Sequence, residues 1–253
     1  MDELLIPLWS LAILFFGVSL AYSAVGLGGG SSYTALMAIF GVGYLMIPST
    51  SLTLNLLVTF VGSITFFRAK HIRPGLLTPF LIASIPMAYL GGLLNLSKEA
   101  FYWILAVSLV LVAVRIYAWK DAKLGLDLGE RGRLALSLLL GGLLGLIAGI
   151  VGIGGGIYLV PLIIIFNLGT EKQAAACGAV FIWINSLAAL IPRLQAGAVD
   201  ILAMLPLVLA VLIGGAIGSH MGSSRLAPKT MQKWLGAIIL VAIGFLLRKL
   251  LFA

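Results

Sequence analysis

Residues 26–30 read Gly-Leu-Gly-Gly-Gly and residues 152–156 read Gly-Ile-Gly-Gly-Gly, each set in a long apolar stretch. At a constant shift of 126 positions, Leu20, Val25, Gly26, Gly28, Gly29, Gly30, Leu36, Ile39, Phe40 and Gly43 all meet an identical residue. Coincidence over so short a window is improbable, so the pattern reads as an internal repeat. Several glycines in five residues each cost a continuous helix about 1 kcal/mol, which predicts a helix break at both places.

The surroundings decide what kind of chain this is. Of 253 residues, 62% are hydrophobic and 9% charged, and the mean hydropathy is +1.19, far from an ordinary soluble domain. A bilayer core about 30 Å thick takes about 20 apolar residues per helical crossing. Lipid offers no partner to an open strand edge, so the expected class is an all-α integral membrane protein. The formal charge of +8 sits in short loops between apolar runs, where membrane orientation explains it and nucleic-acid binding does not. One cysteine, Cys177, and two histidines, His71 and His220, are too few for a disulfide, a metal cage or a metal cofactor. The start of the chain carries Asp2 and Glu3 and no basic residue, unlike a signal peptide, so its first apolar run is expected to stay in the fold.

Apolar runs fall at residues 4–25, 31–47, 49–67, 75–95, 100–118, 134–151, 157–168, 173–192, 201–220 and 231–252. They divide five and five around the densest run of charges. The expected organisation is a first membrane repeat at 1–119, a charged linker at 120–133 and a second repeat at 134–253. The run at 157–168 is too short to cross, and its counterpart at 31–47 reads as longer, so either eight or ten crossings fit. With ten, all Lys and Arg fall on one side except Lys98, Arg193, Arg248 and Lys249. The basic side is then cytoplasmic, both termini are outside, and the halves are inverted repeats. With eight, the termini are inside.

After each glycine cluster a short helix is expected to begin, at Ser31 and at Ile157. The first turn of a helix exposes unpaired N–H groups and about half a positive charge, and glycine lets the backbone approach a ligand. Two such ends would cradle an anion, as interrupted helices do in secondary transporters. The run at 49–67 adds Ser51, Asn55, Thr59 and Ser63 at steps of four, a polar stripe on one helical face. Shifted by 126, Thr59 falls on Asn185 and Ser51 on Cys177. The candidate binding set is Gly26, Gly28, Gly29, Gly30, Ser31, Ser51, Asn55, Thr59, Gly152, Gly154, Gly155, Gly156 and Asn185. Tyr33, Tyr158, Arg68 and Arg193 are candidate gate or entrance residues. Close packing is the competing reading for single Gly, Ser and Asn residues, and it accounts for Gly91-Gly92, Gly141-Gly142 and Gly214-Gly215. Cys177 reads as a small apolar filler. Asp and Glu are nearly absent from the apolar runs, which disfavours carboxylate-based ion coupling.

The twin Gly-x-Gly-Gly-Gly motifs, the second continuing as Ile157-Tyr158-Leu159-Val160-Pro161, resemble the TauE/SafE sulfite exporter family from about Ser10 to Arg248. The first copy departs from the pattern, with Ala35 in place of Pro161. The resemblance implies a permease of the cytoplasmic (inner) membrane moving sulfite, sulfoacetate or a related sulfur anion, most often outward. An anion channel, or an importer of a related oxyanion, would use the same segments. An enzyme would need a nucleophile–base or metal constellation, which these residues do not supply.

Overall fold

The computed structural model describes residues 5–24, 26–117, 129–197, 204–224 and 229–252. Within them the chain forms ten helices and no strand: α1 (Leu8–Ser23), α2 (Gly30–Ile39), α3 (Met46–Arg68), α4 (Pro74–Leu93), α5 (Lys98–Tyr117), α6 (Glu130–Val151), α7 (Gly156–Ile165), α8 (Glu171–Gln195), α9 (Leu205–Ser224) and α10 (Lys229–Phe252). Among the described residues α3, α4, α6 and α8 are long and apolar enough to cross a membrane. Most of the expected linker at 120–133 lies outside the described residues, and its end, Glu130 to Arg133, forms the first turn of α6.

One expectation about length is corrected. The apolar pattern predicts a second run at 31–47, longer than its counterpart, yet α2 stops at Ile39 and has 10 residues, as α7 has. Each rises about 15 Å, half a bilayer core. Both stop by the same device: Gly41 and Asn167 adopt positive φ of 85° and 52°, while Val42 N–H bonds to Met37 O and Leu168 N–H to Ile163 O, each at 2.9 Å. These are Schellman-type ends. The sequence pattern missed the first because apolar residues continue past Gly41 into α3.

α3 and α8 form the centre, with 50% and 67% of their apolar stretches buried. They run antiparallel, since Phe66 clusters with Ala176, Phe60 stacks on Trp183 at 5.5 Å, and Leu52 meets Ala188 and Ala189. Around them, helices pair through small residues. Gly141, Gly145 and Gly149 of α6 face the backbones of Phe80, Ser84 and Ala88 of α4, with no room for a Cβ. The matching registers make this pair parallel, and the spacing of four puts the glycines on one ridge. α1 and α9 pair likewise: Gly214 meets Phe16, Gly218 meets Leu20, and Ser19 Oγ donates to Val211 O at 2.6 Å. Gly91 and Gly92 press on the backbones of α6 and α8, as the packing reading requires.

The glycine turns reverse the chain. Leu5 N–H, ahead of α1, bonds to Phe40 O, just after α2, at 3.1 Å, so α2 returns to the end from which α1 set out. In the other half, the loop after α7 and Arg73, at the start of α4, line one pocket. Because α4 runs parallel to α6, α7 likewise returns toward the start of α6.

Candidate functional site

Each turn is shaped by glycine in conformations that side chains rarely adopt. Gly29 (φ 95°) and Gly155 (φ 75°) occupy the N-cap positions of α2 and α7, neither with a side-chain cap. Gly26 and Gly152 turn the chain out of α1 and α6 with φ of 76° and 81°. Such φ values cost L-residues roughly 1–2 kcal/mol, and the uncapped first turns keep orphan N–H groups.

Both turns are wedged against the central helix of the other half. A Cβ on Gly26 would strike the carbonyl of Ala175 in α8, and one on Gly152 would come within 2.7 Å of Pro48 Cα in α3. Between the turns stands Asn55. Its Nδ2 donates to Gly152 O at 3.2 Å, a Cβ on Gly28 would overlap its Oδ1, and one on Gly30 would overlap its Nδ2. One turn earlier on α3, Ser51 Oγ donates to Gly152 O at 2.7 Å and lies 3.4 Å from Gly30 O. Thr59 donates to Asn55 O at 2.6 Å and presents Cγ2 to Gly28. The structure thus gathers Gly28, Gly30, Ser51, Asn55, Thr59, Gly152 and Gly154 into one place.

Polar atoms are left over here. Asn55 Oδ1 and Ser186 Oγ are buried without a hydrogen-bond partner, as are Ser63 Oγ and Asn185 Oδ1 elsewhere on the two central helices, which in a native fold calls for an explanation. Asn185 Nδ2 donates to Phe181 O within α8. Ser186 Oγ lies 3.4 Å from where a Cβ of Gly154 would be. Sequence reasoning passed over Ser186, because the shift of 126 from the stripe on α3 lands on its neighbour Asn185.

Other candidates have different surroundings. Ser31 Oγ is hydrogen-bonded to Tyr22 OH at 3.0 Å, which also accepts from Ser32 Oγ; nothing in the motif pointed to Tyr22. Gly29 packs on the ring of Tyr33, Gly155 on Phe181 and Gly156 on Ile182. Tyr33 is fully buried with its ring 4.7 Å from that of Phe15. Tyr158 OH donates to Ser108 O in α5 at 3.0 Å. Arg68 is exposed at the end of α3. Arg193, near the end of α8, is buried and donates to the carbonyls of Gly149 and Ile150 in α6. Cys177 lies in an apolar cluster with Phe80, Leu159 and Phe181. Two open pockets, about 520 and 450 Å³, lie not at the turns but at the far ends of α7 and α2, containing Arg73 and Lys98 respectively.

A bundle of apolar helices, two of them broken where polar groups converge, is the build of a multi-pass membrane transporter. The family model described as "Sulfite exporter TauE/SafE" matches residues 11–247. Among curated proteins, the chain is similar to "Probable membrane transporter protein y4hK" of Sinorhizobium fredii (strain NBRC 101917 / NGR234), 35% identical over 92% of this chain and 95% of that one. It is also similar to "Probable membrane transporter protein YjnA" of Bacillus subtilis (strain 168), 28% identical over 92% of this chain and 98% of that one. No solved structure matches. The chain belongs to the TauE/SafE sulfite exporter family, and it is a membrane transporter of the multi-pass type, located in the cytoplasmic membrane.

Proposed function

We propose that the chain is a secondary transporter exporting a small sulfur-containing anion, sulfite or an organosulfonate such as sulfoacetate, through a site between the two glycine turns. The observation that carries this reading is the position of Asn55, in contact with both turns at once. Donors on α3 and the amide-rich starts of α2 and α7 suit an oxyanion. Ser186 adds an unpartnered hydroxyl facing Gly154.

In this reading residues 1–119 and 134–253 are inverted repeats joined by the charged stretch at 120–133. The pairing of α4 with α6 and of α1 with α9 supports it, since these pairs exchange under the shift of 126. The pairs α1–α2 and α6–α7 enter from opposite faces and turn back at their glycine clusters, each short helix returning to the face its partner set out from. The basic ends, with Arg68, Lys70, Arg73 and Lys172, then face the cytoplasm, and both termini face outward.

Asn55 Nδ2 is engaged by Gly152 O here, so the anion takes its place by displacing that carbonyl as one hairpin tip withdraws. Withdrawal of one tip or the other exposes the site to one face at a time. The pockets at the far ends of α2 and α7 are the vestibules. An inside-negative potential favours anion exit by about 2.3 kcal/mol per charge per 100 mV, so export needs no coupled ion.

The test is sulfite flux in reconstituted vesicles with Asn55→Ala, Asn185→Ala, Gly29→Ala and Gly155→Ala. Flux should collapse in folded protein. Normal flux in all four removes the assignment.

A further inference from the structure

Among the residues whose side chains are described, Arg193 is the one charged group that is buried, 9% exposed. Among the described residues no carboxylate is bonded to it. Its Nη2 donates to Gly149 O at 3.0 Å and Ile150 O at 3.3 Å, the carbonyls that close α6 just before the second glycine turn. Its Nε has no partner. Ser186, two helical turns earlier on the same face of α8, likewise has a buried hydroxyl without a partner and faces Gly154 in that turn.

Among the described residues the charge balance here is incomplete. The C-terminal end of α6 offers about half a negative charge, against a full positive charge that is costly to bury. Were Arg193 only a cap for α6, a neutral amide would satisfy the same carbonyls without that cost. An ionisable group inside a membrane fold with no counter-ion among the described residues points to function.

We propose that Arg193 is the counter-charge for the transported anion. Resting on the site assigned above, this inference adds the chemical form of the substrate: the ionised oxyanion binds, its charge held by the guanidinium and its oxygens by Ser186 and the amides of the α6–α7 turn. Between substrates, the carbonyls of Gly149 and Ile150 hold the guanidinium in place.

The experiment reads thermal stabilisation of the purified full-length protein by sulfite, thiosulfate, sulfate, sulfoacetate, phosphate and chloride, for wild type, Arg193→Gln and Arg193→Lys. The expected result is an anion that stabilises wild type, binding at least tenfold more weakly to Arg193→Gln and within about tenfold to Arg193→Lys. If the effective anion contains no sulfur, the sulfur assignment fails while this inference stands. Unchanged affinity in Arg193→Gln, with only a lowered ligand-free melting temperature, would make Arg193 a helix cap and overturn the proposal. So would a wild type that no anion stabilises. Should Arg193→Gln fail to fold, Arg193→Lys decides: retained binding supports the counter-charge, and a folded Lys variant without anion binding overturns it.

Discussion

Asn55 of α3 donates its side-chain amide to the backbone carbonyl of Gly152, 97 residues away in the chain. The same side chain closes off the space beside Gly28 and Gly30. One residue therefore reports on both breaks.

Replacing Asn55 with Ala removes a donor that, turned on an anion, contributes about 1.5–3 kcal/mol. Sulfite flux in reconstituted vesicles should fall about 10- to 100-fold, with circular dichroism showing the helix content of wild type. Asn55→Ser, which keeps a donor on a shorter arm, should fall between the two.

Glycine substitutions should separate by location. Gly17 has nothing within 4 Å of a Cβ, so Gly17→Ala should be neutral or stabilise by roughly 0.5–1 kcal/mol through lower chain entropy. At Gly145 a Cβ strikes the carbonyl of Ser84, and Gly145→Ala should destabilise by about 1–3 kcal/mol, seen as an earlier thermal transition. Gly155→Ala combines a φ of +75° with a contact to Phe181 at 2.9 Å and should lose transport as well.

Cys177 sits in an apolar cluster, so its thiol should have no part in transport. Cys177→Ala should carry sulfite at the wild-type rate. Cys177→Ser, which buries a hydroxyl, should cost about 1–3 kcal/mol of stability and leave flux in the surviving folded fraction unchanged.

How much of this was legible beforehand depends on the range of the signal. Segment ends set by local chemistry were readable: glycines at positive φ mark both breaks, and Thr170 with Gln173 forms a reciprocal capping box at the start of α8. The stop of α2 was not, because Gly41 is followed by more apolar residues and, unlike Asn167 after α7, leaves no polar mark. Asn55 stood out as the member of a stripe at steps of four. Ser186 and Tyr22 did not, since their roles come from contacts across helices that no single-helix periodicity records. Arg193 was visible only as a charge near a segment end, and its contact with the end of α6 required the packing of α8.

The most direct measurement of a shared site between the turns is ligand protection of two cysteines, one on each central helix. In a Cys177→Ala background, Thr59→Cys faces Gly28 and Ser186→Cys faces Gly154, and a small maleimide reaches each of these buried positions when a hairpin tip withdraws. A small sulfonate serves as protectant because sulfite consumes maleimides. The account predicts that both cysteines are protected with the same concentration dependence; protection of one alone, or of neither, would contradict it.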